Sequence, residues 1–251
     1  RKTQLRVLGG IFSAILISTS SAVAQDGLGG SIGLYSDSGS SAWATTEIGE
    51  TNWTEDGYHF SGSDISNGWS VNWSMLSSSI SAQSLILNFT VTNTSAVEQT
   101  FFLFATDLLA SPMMGSSLVG GSVSGTYTDL NGDGVLVSAP DAGSIYTAFV
   151  DATTADPFDG TVVGTLLDGA TGSAGNFLSG NFEGSSFGDF PTIPGQMGPE
   201  TLLNYGMILE FTVSAGDTVG LTSSMAIAAP APGALALLGL AGVCGRRRRR
   251  D

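Results

Sequence analysis

The chain of 251 residues holds 22 Asp and Glu against eight Lys and Arg, with one histidine and one cysteine, for a formal net charge of −14. Arg1, Lys2, Arg6 and Arg246 to Arg250 are all of its Lys and Arg, and only Asp251 among the acids is terminal, so Val7 to Gly245 carries 21 carboxylates and no Lys or Arg. Such a body excludes a Schiff-base lysine, an arginine finger and a Lys-bearing phosphate loop, and it repels nucleic acid, whose binding sets cations against phosphates.

Residues 1–24 have the anatomy of a secretory signal peptide: a basic start, an apolar stretch over Val7 to Ile17, and small residues ending Ala22-Val23-Ala24 with cleavage before Gln25. An N-terminal membrane anchor is the competing reading, and the apolar stretch is short for it and interrupted by Gly and Ser. The body, residues 25–229, is long enough for one sizeable domain.

Its texture predicts an all-β fold. The Gly/Ser-rich stretches at 26–42 and 169–188 are expected to be long loops or edge decoration. Trp43, Trp53, Trp69 and Trp73 crowd the N-terminal third, where they serve either as core aromatics or as a sugar-stacking platform. Leu85, Leu87, Phe89 and Val91 alternate with Ile86, Asn88, Thr90 and Thr92, and Met207, Leu209, Phe211 and Val213 alternate with Ile208, Glu210 and Thr212. That period of two marks half-buried strands. Further strand-like runs start near Gly68, Glu98, Gly121, Gly134, Ser144 and Thr218, separated by turn residues. Many short strands predict a single β-sandwich, jelly-roll or immunoglobulin-like.

Within the body, "DLNGDG" places Asp129, Asn131, Asp133 and Gly134 as in the first half of a calcium loop. The twelfth position, which needs a bidentate Glu, is Pro140, and strand-like runs flank the motif. A hairpin turn is the simpler account, with calcium held by Asp129, Asn131 and Asp133 as the alternative. Gly184, Ser186 and Gly188 satisfy G-x-S-x-G without a strand-to-helix context, and His59, the one possible histidine base, precedes the serine. A nucleophilic triad is rejected. One histidine without a cysteine in the body leaves no basis for zinc.

After the last strand, Pro230, Ala231 and Pro232 precede an uncharged run, Gly233 to Gly245, and then five arginines: Arg246, Arg247, Arg248, Arg249 and Arg250. A helix over that run spans roughly 20 Å at 1.5 Å per residue, short for a permanent anchor. The five arginines act as a cytoplasmic stop. Cys244, inside the run, is read as a packing residue. This order of Pro box, short Ala/Leu/Gly helix and arginine cluster resembles the PEP-CTERM sorting signal of exosortase substrates. The resemblance covers residues 230–251, with Ala231 in place of the family's Glu. It implies removal of the tail by an exosortase-type membrane transpeptidase, after signal peptidase and the general secretion machinery have acted. It also implies delivery to the envelope surface or extracellular matrix of a Gram-negative-type bacterium, often beside exopolysaccharide. An ordinary retained membrane tail is the alternative.

Two functions are thus expected. The first is a non-enzymatic surface or matrix protein, without a cofactor unless calcium binds, associated with exopolysaccharide and brought to the membrane at least transiently by its C-terminal helix. The second is a carbohydrate-binding or glycoside-cleaving sandwich with the same tail; cleavage needs two placed carboxylates, and nothing in the sequence marks out a pair.

Overall fold

Alternating apolar and polar residues can bury one face only if strands pair, and among the described residues every strand pairing is antiparallel. The computed structural model describes residues 30–36, 38–44, 49–78, 82–140, 143–153, 157–189 and 194–230. Strands β1 (Ser31–Ser36) and β2 (Gly39–Ala44) form a hairpin, and β3 (Glu50–Thr54), β4 (Gly57–Ser66), β5 (Trp69–Ser78) and β6 (Gln83–Asn93) form a meander. Strands β7 (Gln99–Leu108), β8 (Ser117–Thr128), β9 (Val135–Ser138), β10 (Ser144–Val150) and β11 (Thr161–Asp168) follow. The last are β12 (Thr171–Ala174), β13 (Ser179–Phe187), β14 (Gln196–Gly198), β15 (Asn204–Val213) and β16 (Thr218–Ala228). A short 3-10 turn covers Pro157–Asp159.

The strands make two eight-stranded sheets packed as a sandwich. The first runs β11-β10-β15-β7-β1-β2, with β9 bridging β15 and β12. The second runs β13-β8-β16-β6-β5-β4-β3, with β14 beside β8. The predicted alternation is borne out: Leu85, Leu87, Phe89 and Val91 of β6 and Met207, Leu209, Phe211 and Val213 of β15 are all buried in the shared core. Phe89 and Phe211 stack across the interface with ring centroids 5.8 Å apart. Tyr146 of β10 reaches across to donate to the Ser224 carbonyl of β16 at 2.8 Å.

Two corner loops, between β6 and β7 and between β15 and β16, are tied by one buried side chain. The Asn93 amide donates to the carbonyls of Val97 at 2.8 Å, Val213 at 3.0 Å and Ser214 at 3.0 Å. The arches it joins form the centre of both sheets.

The Gly/Ser-rich stretch at 26–42 departs from expectation. Its β1 is an interior strand between β2 and β7, with Ile32 and Leu34 fully buried. Glycine hid the pattern: Gly33 lies opposite Phe104, and a Cβ there would collide with that ring. The stretch at 169–188 behaves as edge decoration, since β13 closes one edge of the second sheet.

Among the described residues no helix is long and apolar enough to cross a membrane. The signal-peptide positions Ala22, Ala24 and Gln25 lie outside the described residues. So do the sorting residues Ala231 and Pro232 and the expected cytoplasmic stop, Arg246, Arg247, Arg248, Arg249 and Arg250. Pro230 is within them, two residues beyond β16.

Candidate functional site

The outer face of the second sheet is built from the polar half of each alternation. Register aligns Asn72 of β5, Thr90 of β6, Gly220 of β16 and Thr126 of β8 in one row, and Ser74, Asn88, Thr222 and Ser124 in the next. Together they line a trough of about 520 Å³ over the buried rings of Trp73, Phe89 and Phe182. A second depression of about 280 Å³ shares Ser124 and Thr222 and continues toward Ser185 and Ser186 of β13.

Hydroxyls and amides knit this face together. Thr222 donates to Asn88 Oδ1 at 2.8 Å, Ser122 and Ser224 hydroxyls meet at 2.7 Å, and His59 Nε2 meets Ser74 Oγ at 2.8 Å. Among the described residues no carboxylate lines the trough. In a body whose charged side chains are all acidic, that is a departure from the surrounding surface. Sequence reasoning missed this site; its only signal was the recurrence of Asn-aromatic-Ser/Thr at residues 72–74 and 88–90, which sends Asn and the hydroxyl outward and the ring inward on a strand.

The "DLNGDG" segment is a tight turn but not the expected hairpin: it leads from β8 of the second sheet to β9, which pairs β12 and β15 of the first, so it crosses between the sheets. Both oxygens of Asp129 are occupied by backbone N–H donors: Asn131 at 3.1 Å and Gly132 at 2.9 Å on Oδ1, Gly134 at 3.1 Å and Phe177 at 2.6 Å on Oδ2. Burial alone would raise the Asp129 pKa, but the four donors, Phe177 foremost, outweigh it and hold the carboxyl below its ordinary value. The Asp129 oxygens therefore close the turn. Asn131 does the same: its Oδ1 accepts from Asp133 N at 3.0 Å and its Nδ2 donates to the Ala215 carbonyl at 2.9 Å.

Tertiary structure adds a third acid. Asp217 joins Asp129 and Asp133 with carboxylate oxygens within 4.8 Å of one another, a trio able to hold a cation. Burial raises the Asp217 pKa and the Asp129 charge adds to that, against the Ser214 hydroxyl and Leu130 N–H that favour its ionised form. Asp217 has no sequence motif of its own; the β8–β16 pairing of Thr128 with Thr218 is what brings it beside Asp129.

Among the described side chains, Trp53, Trp69 and Trp73 do not share an exposed platform. Trp69 and Trp73 are 0% and 3% exposed and belong to the core. Trp53 is 59% exposed on edge strand β3, packed on Tyr58 at 5.1 Å, and its register partner Tyr58 points to the core side, opposite the trough. Trp43 lies on β2, and its side chain is outside the described residues. Ser186 sits on β13 opposite Ser122, whereas His59 is on β4, five strand spacings or roughly 24 Å away. The rejected triad is thus separated by the sheet itself.

Searches for a matching family model and for similar curated proteins found none. Among solved structures, the chain is similar to TmCBM61 in complex with β-1,4-galactotriose, at 8% identity over 63% of this chain and 88% of that one, TM-score 0.22. It is also similar to a structure from a study of promiscuous specificity in carbohydrate-binding modules of the β-sandwich superfamily, at 12% identity over 76% and 72% of the two chains, TM-score 0.24.

Proposed function

We propose that this is an exported, non-enzymatic protein of the cell surface or extracellular matrix that associates with polysaccharide and is delivered by an exosortase-type sorting tail. The observation that carries the polysaccharide part is the carboxylate-free trough of hydroxyls and amides on the outer face of an otherwise polyanionic body. Sugars present the same groups, and hydrogen-bonding partners that face solvent lose little when exchanged for a ligand's hydroxyls. Glycoside cleavage needs a carboxylate pair across the bound chain, which the trough lacks, so binding is the better reading of this site.

Delivery is supported by the two ends of the sequence and by where the described chain leaves the sandwich. Ser31 pairs with Thr106 near the end of β7, and Ile227 pairs with Gln83 at the start of β6. Gln83 Oε1 accepts from Ala110 N at 3.1 Å just beyond β7, so both exits lie at one end of the domain. A chain held at the membrane through either terminus presents its acidic corner loops away from it. Isolation of the native protein from extracellular matrix, with intact mass and C-terminal peptide determined, tests the reading. The expected product ends near Pro230 to Pro232 and is released when the matrix polysaccharide is digested. A product ending in Asp251 and recovered free of polysaccharide overturns it.

A further inference from the structure

We infer that the trough on the second sheet takes an uncharged, extended glycan chain running across β5, β6, β16 and β8, held by Asn72, Asn88, Thr90, Thr126 and Thr222. This rests on the polysaccharide reading above and narrows it to a ligand class and a site.

Shape comes first. Gly220 sits in register between Thr90 and Thr126, and without a Cβ it leaves the middle of the row as a depression; a Cβ there would come within 3.4 Å of Thr90 Oγ1 and 3.6 Å of Thr126 Oγ1. The second depression prolongs the trough toward β13. From β5 to β13 is four strand spacings, roughly 19 Å at about 4.8 Å each. A trough of that length fits a chain of sugars better than one ring.

Chemistry selects the class. Among the described residues the side chains of Asn72, Thr90 and Thr126 make no hydrogen bond, and Asn88 uses its carbonyl oxygen on Thr222, leaving its amide N–H groups to donate. The site therefore offers both donors and acceptors, as a polyol requires. It offers no cation to pair with a uronic-acid or sulfate group, and the acidic body around it repels anionic chains. Outward rows of β4, β5, β6, β16 and β8 carry no carboxylate. The trough's rings, Trp73, Phe89 and Phe182, are buried beneath the polar rows, so recognition is through hydroxyl and amide contacts rather than face stacking.

Affinity electrophoresis of the purified full chain through gels containing neutral galactan, xyloglucan or mannan, with polygalacturonate as the anionic comparison, tests this. At least one neutral polymer should retard the protein and polygalacturonate should not. Gly220→Val, which fills the depression, and Asn88→Asp, which adds a carboxylate, should each weaken retardation at least 10-fold, while Thr165→Asp, on the exposed surface of the first sheet, leaves it unchanged. Thermal melts of each variant separate loss of binding from loss of fold. No retardation by any of the neutral polymers, stronger retardation by polygalacturonate, or unchanged retardation in both folded trough variants overturns the inference. Matrix association in native cells that persists in the Gly220→Val strain removes this site while leaving the polysaccharide reading standing. Trough-dependent binding by a protein absent from the matrix does the reverse.

Discussion

Glu210 is a carboxyl of the first sheet that burial holds above its ordinary pKa. It lies half-buried on the outward face of β15, in register with Phe102 and beside Ile208, where a small aromatic cluster of Tyr35, Phe104 and Phe149 covers the sheet. Burial pushes its pKa from 4.5 up to about 7. Unfolded, the carboxyl ionises near its ordinary value, so between pH 4.5 and about 7 the unfolded state binds fewer protons and stability falls as pH rises. At about 1.36 kcal/mol per pKa unit the unscreened penalty is about 3 kcal/mol. Solvent reaches part of the group, and screening reduces this to about 1–2 kcal/mol. Glu210→Gln removes the charge at nearly constant shape. The variant should match the wild type at pH 4.5 and exceed it at pH 8 by that amount, a rise in Tm of roughly 2–8 °C for a domain of this size. Paired thermal melts at the two pH values measure it, and the general self-repulsion of the acidic body cancels in the difference between proteins. An equal difference at both pH values, or a less stable variant at pH 8, refutes the burial argument.

Other predictions rest on packing and hydrogen bonds. Asn93→Ala removes two hydrogen bonds that cross between the corner loops, the one to Val213 fully buried, and one within the β6–β7 loop; a loss of about 2–4 kcal/mol in urea unfolding is expected. Trp69→Ala should cost about 3–5 kcal/mol as a core truncation, whereas Trp53→Ala, on an exposed edge, should leave the melting temperature near wild type. Gly33→Ala drives a methyl into the Phe104 ring and should cost about 1–3 kcal/mol by overpacking. Because backbone donors already occupy both oxygens of Asp129, removing divalent cations with a chelator should not lower Tm; a drop that calcium restores and Asp217→Asn abolishes would assign the Asp129, Asp133 and Asp217 trio to a cation.

Much of this architecture was readable in the residues. A period of two over β6 and β15 requires one face of each strand to be buried, and the structure buries those faces against each other. The flanks of "DLNGDG" marked a turn between strands, though the two strands belong to different sheets and make no hairpin; Asp129 accepts from Asn131, Gly132 and Gly134 within the motif, while its Phe177 donor comes from 48 residues on. The acidic body with terminal cations was likewise a property of composition, independent of folding.

Long-range pairing decided the rest. Period alone says that a tryptophan points to one face or the other, but only the arrangement of both sheets put Trp69 and Trp73 inside and left Trp53 largely exposed on an edge. Glycine masked β1, because its alternation depends on a ring supplied by β7 more than sixty residues later. Asp217 reaches Asp129 through strand register, and the trough exists because Asn72, Asn88, Thr222 and Thr126, scattered over 150 residues, fall on one outward face. Local chemistry determined which strands and turns this chain forms; neighbours brought together across the sheets determined which of its surfaces can meet another molecule.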